Sequence, residues 1–298
     1  APVQVFWTRE DDLRHGFYRP ASYHRLVAAV DAQGRPTAWT HRIVGPSIDA
    51  RFGPLEKGID RSLVDGADTL PYGIQDILVE QSIADLPVPV GYWRSVGNSH
   101  NAFVTECFID EIAAAAGRDP LELRRALLRD RPRHLRVLGA VAEKAGWGSP
   151  VPAGRGRGLA IVESFGSCVA QVAEASLGEN GVPRVHRVVC VVECGQVVNP
   201  DTVEAQMQGG IVFGLSAALR GEITLERGGV VQGNFDTYPI LRMNEMPEIE
   251  VEILPSGGSP GGIGEPGVPP IAPAVANALA ALTRKRARRL PLAPVAKG

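Results

Sequence analysis

Long apolar runs are missing from this chain. Nowhere do about 18 consecutive apolar residues occur, the length a helix needs to cross a bilayer, so no membrane span is expected. Charge of one sign is missing as well. Over 298 residues the net is −2, which leaves no global field to draw the chain to nucleic acid or to an anionic membrane. Cysteine is scarce: Cys107, Cys168, Cys190 and Cys194 form no C-x-x-C pair of the kind that holds zinc or many iron–sulfur clusters. The thiols read as packed side chains, His15 and His24 have no Cys or carboxylate at ligand spacing, and the compartment stays open. A G-x-x-x-x-G-K-[ST] phosphate loop and a G-x-S-x-G elbow are both lacking, and Cys168 has no sequence-level partner, which argues against a generic hydrolase. The opening Ala1-Pro-Val-Gln-Val-Phe-Trp7 has no secretory pattern and reads as the interior of a longer protein.

What is present is ordinary in bulk: 44% hydrophobic and 21% charged residues, enough for one large or two smaller domains with a real core. Gln4 to Thr8 predicts a strand, followed by a charged cluster from Arg9 to His15. Arg25 to Val30 and Thr37 to Val44 predict a hairpin across Asp31-Ala-Gln-Gly34. Residues 45 to 90 are punctuated by Pro and Gly and carry no assignable element. The loop Gly91 to His100, with Asn98 or Ser99 as candidate caps, precedes a helix from about Ala102 to Ala116. Small and polar residues at such a start leave free N–H groups, which suits a polar cofactor as well as plain capping. Two more helices, Leu121 to Arg131 and His134 to Ala145, complete a helical block at about 102–146. Strands follow over Leu159 to Phe165, Ser167 to Ala175 and Arg184 to Glu193, then an Asn199-Pro200 helix to about Leu219 and a strand over Ile249 to Leu254. The basic run Arg284 to Arg289 reads as a solvated helix end. Strands and helices in this order predict an α+β fold with mixed sheets and packed helices, divided at about residue 150 into 1–150 and 151–298.

The stretch around which the rest is arranged is Gly261-Gly-Ile-Gly-Glu-Pro-Gly-Val-Pro-Pro270, leading into an apolar helix over Ile271 to Leu282. It holds one carboxylate, Glu265, among glycines that remove bulk and prolines that fix φ. Two readings stand side by side: a Gly/Pro linker, or a loop that presents Glu265 to a closely approaching group. Gly262-x-Gly264-x-x-Gly267 matches a dinucleotide fingerprint by letter, but no strand precedes it directly and no second strand-and-acid unit follows. In the Asn199 helix, Gly210 and Gly214 line one face, which implies either tight packing or a bulky cofactor leaning on it; Gln206 could serve a heterocyclic ring edge.

Taken together, Val5 to Asp12, Trp93-Arg-Ser-Val-Gly-Asn-Ser99 with Glu106 and Asp110-Glu111, Asn199-Pro200 with Gln206 and Gly209-Gly210, and Gly264-Glu-Pro-Gly267 resemble the molybdenum hydroxylases. These are the xanthine dehydrogenase and aldehyde oxidoreductase family, and the likeness is to the C-terminal part of an isoquinoline 1-oxidoreductase-type large (beta) subunit. The resemblance implies a molybdopterin-binding fold of that type. It also implies a molybdopterin cofactor carrying molybdenum, in the cytosine dinucleotide form, and water-dependent oxidation of an N-heterocycle or aldehyde. Carried over, Glu265 would be the general base, Arg94, Ser95, Val96 and Gly97 would approach the cofactor through backbone amides, and Gln206 and Gly264 would contact it. The family's Gly-Gly-Phe-Gly and Gly-Gln-Gly segments do not occur, and Ser95-Val96 replaces the Gly-Phe of xanthine dehydrogenases. A second polypeptide supplying the other half of the site and an iron–sulfur subunit for the electrons are therefore expected. A catalytically silent half-subunit that serves assembly and never binds molybdenum is the alternative.

Overall fold

The computed structural model describes residues 1–292 and 294. A short helix α1 (Arg9–Arg14) comes first, capped by Thr8, whose Oγ1 accepts from the Asp11 N–H. The strand expected over Gln4 to Thr8 does not form: Val5, Phe6 and Trp7 are exposed and pair with no neighbouring strand among the described residues. β-branched and aromatic content favours a strand only where another strand supplies a ladder and a packing face. The hairpin forms as expected from β1 (Tyr23–Val30) and β2 (Pro36–Gly45), with Gly34 at φ 71° in its loop. Trp39, His41 and Ile43 alternate onto its buried face. Within the unassigned stretch lie α2 (Arg61–Val64) and β3 (Asp76–Ile83), which pairs parallel to β2. β3 carries Glu80 and Gln81 in its middle and lacks a clean alternation, which hid it.

The helical block is α3 (Val96–Ala115), α4 (Pro120–Leu127) and α5 (Pro132–Lys144). α3 starts at Val96 rather than near Ala102, so Gly97 to His100 are buried helix instead of loop. Gly117 at φ 64° ends it, and Asp119 caps α4 by accepting from the N–H groups of Leu121 and Glu122.

The second sheet is β4 (Arg155–Ser164), β5 (Ser167–Leu177) and β6 (Pro183–Glu193), all antiparallel. The chain then forms α6 (Pro200–Leu219), capped by Asn199, a small ribbon of β7 (Leu225–Glu226) and β8 (Gly229–Val230), and β9 (Glu248–Ile253). β9 joins the sheet parallel to β6, and α7 (Ile271–Thr283) closes the fold. Both faces of this sheet are covered. Val169, Ala173 and Val188 meet Met207, Ile211 and Leu215 of α6 and Val275 of α7 on one side. Ala170, Val172 and Val189 meet Leu138 and Val141 of α5 on the other. Two-sided burial explains near-continuous apolar strands in a largely antiparallel sheet. α7 lies so close to β4 that a Cβ on Gly158 would sit 2.1 Å from the Ala278 nitrogen.

All four cysteines are buried free thiols, as expected from their spacing. The basic run begins at Arg284, the C-cap of α7, and is largely exposed, as expected of a solvated helix end, but its later residues leave the helix. α7 stops at Thr283, and Arg286 and Arg288 pair with Asp110 and Glu111 of α3 while Arg289 pairs with Glu222. Acidic partners far away in sequence overrode the local helical pattern. No helix of the described residues is long and apolar enough to cross a membrane.

Candidate functional site

The Glu265 loop is no flexible linker. The β4–β5 turn, Phe165-Gly166, pins its first half: the Gly262 N–H donates to the Phe165 carbonyl at 2.7 Å, and Ser167 Oγ donates to the Gly262 carbonyl at 2.7 Å. A Cβ on Gly261 would come within 2.6 Å of the Gly166 carbonyl oxygen, so backbone lies directly on backbone there. Its second half is held by Gln171 Nε2, which donates to the Gly267 carbonyl at 2.8 Å, and by an internal bond from the Val268 N–H to the Glu265 carbonyl.

Two further segments distant in sequence, the residues before α3 and helix α6, converge on this loop. Arg94 Nε donates to the Gly264 carbonyl at 2.8 Å, and its Nη2 donates to Gln206 Oε1 at 2.9 Å. Ser95 Oγ donates to the Glu265 carbonyl at 2.7 Å. Ser95 is thereby the N-cap residue of α3 in position but not in bonding, and both it and Val96 adopt left-handed φ, 75° and 44°. Asn98 and Ser99, the expected caps, lie inside the helix. The Val96 N–H is committed to the Trp93 carbonyl at 2.7 Å. Trp93 packs on Phe213 of α6 with ring centroids 4.7 Å apart, and the Arg19 guanidinium lies 4.1 Å from the centroid of the Trp93 ring. Burial pulls the Arg19 pKa down to about 10.

Glu265 itself is half-buried. Its Oε2 is shielded from solvent and meets no hydrogen-bond donor among the described residues. Burial lowers the Arg94 pKa, and the negative charge of Glu265 opposes that shift; the two side chains nonetheless form no ion pair among the described residues. The glycine face of α6 is not free for a cofactor. A Cβ on Gly210 would lie 3.2 Å from Gly267, and one on Gly214 would lie 2.5 Å from Ile271 Cγ2. Those glycines serve tight packing of α6 on the loop and on α7. Gly209 and Gly264 by contrast have open space where a Cβ would point.

Sequence reasoning missed the Phe165-Gly166 turn, Ser167, Gln171 and Arg19. A two-residue, glycine-bearing junction between two strands was a readable hairpin signal, and a lone Gln in an apolar strand was another. Arg19 carried no local signal. A cavity of about 480 Å³ lies beyond the turn and is lined by Arg133, Arg136, Glu193 and Ser259 without Glu265. Arg133 there is already bound to Glu193, Glu163 and the Gly166 carbonyl.

The class of protein follows from comparison with known families. Residues 1–128 and 142–247 each match a family model described as a molybdopterin cofactor-binding domain, and the chain belongs to the molybdenum hydroxylase family. It is 34% identical over 300 residues to the beta subunit of isoquinoline 1-oxidoreductase from Brevundimonas diminuta, covering 98% of this chain and 38% of that protein. It is 34% identical over 317 residues to a nicotinate dehydrogenase subunit of Pseudomonas putida, covering 98% of this chain and 27% of that protein. The quinoline 2-oxidoreductase structure from Pseudomonas putida 86 shares the fold, with a TM-score of 0.82 at 12% identity over 96% of this chain and 62% of that one. The chain thus spans well under half the length of the two curated relatives.

Proposed function

We propose that this chain is the catalytic half of a molybdenum hydroxylase and that Glu265 is its general base. The observation that carries the reading is the bare Oε2 of Glu265, buried in a loop that β5, α6 and the segment before α3 all hold in place. A buried carboxylate oxygen without a donor destabilises a fold unless something else meets it. The residues fit a molybdopterin at this place. Gln206 has its Nε2 unengaged by any described residue, and Gly264 and Gly209 leave room for close approach. Gln206 and Gly264 would touch the cofactor, Arg94 to Gly97 would line its approach, and Glu265 would face its reacting side. When bound, the molybdenum centre supplies a two-electron oxidant. The protein's own contribution is a fixed carboxylate that takes one proton at its Oε2 and a wall of backbone that excludes water.

The substrate is an electron-poor N-heterocycle or an aldehyde, a reading supported by the relatives named for isoquinoline and nicotinate. The cofactor is the cytosine dinucleotide form, the electrons leave through an iron–sulfur partner subunit, and a second polypeptide supplies the rest of the site. The two parts of the chain, 1–150 and 151–298, would each contribute one wall. The test is to purify the chain in its assembled complex and measure molybdenum, cytosine nucleotide and turnover of an N-heterocycle. One molybdenum and one cytosine per complex with turnover is the expected result. An assembled complex without molybdenum would leave only the assembly role.

A further inference from the structure

Arg94 has a side chain whose bonding constrains what the site can hold. A guanidinium carries donors only, so the atom of Gln206 that meets Arg94 Nη2 at 2.9 Å is the amide oxygen. This settles the orientation of an amide that would otherwise be ambiguous. With Oε1 turned to Arg94, Gln206 presents the two N–H bonds of Nε2 to the other side. The same guanidinium grips the Gly264 carbonyl through Nε and Nη2, one residue before the base. Its face lies 5.7 Å from the Phe213 ring centroid on α6, so the plane is also held from the side.

We infer that Arg94 is a positioning residue that sets the polarity of Gln206 and the height of the Glu265 loop, so that the cofactor atom facing Gln206 must be a hydrogen-bond acceptor. The inference rests on the proposed function for the identity of the ligand, but the bonding logic concerns this chain alone. A planar fork is required because two acceptors on different segments, Gln206 Oε1 and the Gly264 carbonyl, are served by one group in fixed relative positions. A lysine at 94 would reach either acceptor as a point charge but would not fix both. Arg94 spends its hydrogen bonds on the Gly264 carbonyl and Gln206 and none on the Glu265 carboxylate, so the loop is clamped through its backbone.

The experiment uses the assembled complex with Arg94→Met, Arg94→Lys, Gln206→Glu and Glu265→Gln, read by amide hydrogen exchange over residues 261–268, by molybdenum content and by steady-state kinetics. In Arg94→Met, exchange over 261–268 rises about ten-fold as the loop opens locally, and kcat falls about 100-fold with KM nearly unchanged. Arg94→Lys falls between that variant and the wild type. Gln206→Glu keeps a partner for Arg94 and so keeps wild-type exchange, yet it offers no donor to the cofactor and loses molybdenum. Wild-type exchange in Arg94→Met, or full molybdenum content in Gln206→Glu, overturns the inference. Should Arg94→Met fail to assemble, Gln206→Glu decides alone. Activity retained in Glu265→Gln sinks the proposed function instead, which separates the two failures.

Discussion

Two acidic side chains in this molecule stand in contrasting environments. Glu106 on α3 is 2% exposed and fully engaged: Tyr72 Oη donates at 2.5 Å, Arg124 Nε at 3.1 Å and the Ile161 N–H at 3.0 Å. It fastens α3 to α4 and β4 and has nothing left over for chemistry. Glu265 is only half-buried, yet its Oε2 is shielded from solvent and meets no donor among the described residues. Removing the partner of the first is costly: Arg124→Met leaves a buried carboxylate unpaired and lowers unfolding free energy by about 3–5 kcal/mol, measurable by urea titration. The imidazoles of His24, His41 and His100 form a second residue-scale feature. His24 Nδ1 lies 2.9 Å from His41 Nε2, the His24 and His100 rings are 5.7 Å apart, and Arg19 is the nearby charge. Burial holds His24 down to about 4, and burial with the neighbouring histidine holds His41 down to about 3; burial foremost does the same for His100, to about 3. Folded pKa values below the unfolded 6.5 mean that the unfolded chain binds protons first on acidification. Their contribution to stability is complete above pH 6.5 and is lost as the pH falls towards 4. The urea midpoint is therefore expected to drop between about pH 7.5 and pH 5, and to drop less in His24→Gln.

At the scale of elements, the junction of α6 with the loop and α7 decides the site's shape. Gly214→Ala pushes a methyl into Ile271 and the Val268 carbonyl, at 2.5 Å and 3.2 Å. Overpacking of that kind costs about 1–3 kcal/mol and shifts the loop; circular dichroism melting of the chain would show a lower Tm, and Gly209→Ala, which meets open space, would not. Much of this was legible in the sequence. The Asn199-Pro200 start fixed the beginning of α6 to the residue, and the apolar strands β4 to β6 announced themselves because both their faces are buried. Local chemistry carries such signals. The start of α3 was misplaced because Ser95 spends its hydroxyl on Glu265, 170 residues away, instead of capping. β3 was invisible because its stability comes from a parallel partner and not from its own alternation. The ion pairs of the basic run were not legible because Asp110 and Glu111, its partners, lie on α3. The convergence of Arg94, Gln206 and Gly264 is likewise a tertiary fact, and only the family resemblance grouped those residues beforehand.

At the scale of the whole molecule, one chain brings Arg94, Gln206 and the Glu265 loop together, yet spans less than half of its curated relatives. Phe52 and Tyr92, 72% and 59% exposed, stack at an interplanar angle of 1°; Phe213, which faces Arg94 from α6, is 39% exposed. An exposed aromatic pair of this kind suits an interaction site, consistent with the proposal that further polypeptide completes the centre. The central claim is that Glu265 moves the proton in a centre that the rest of the complex assembles. Its most direct measurement is turnover and molybdenum content of the assembled complex carrying Glu265→Gln. The account predicts full molybdenum content with kcat lowered by about 10²- to 10⁴-fold, whereas turnover close to wild type at full molybdenum content would contradict it.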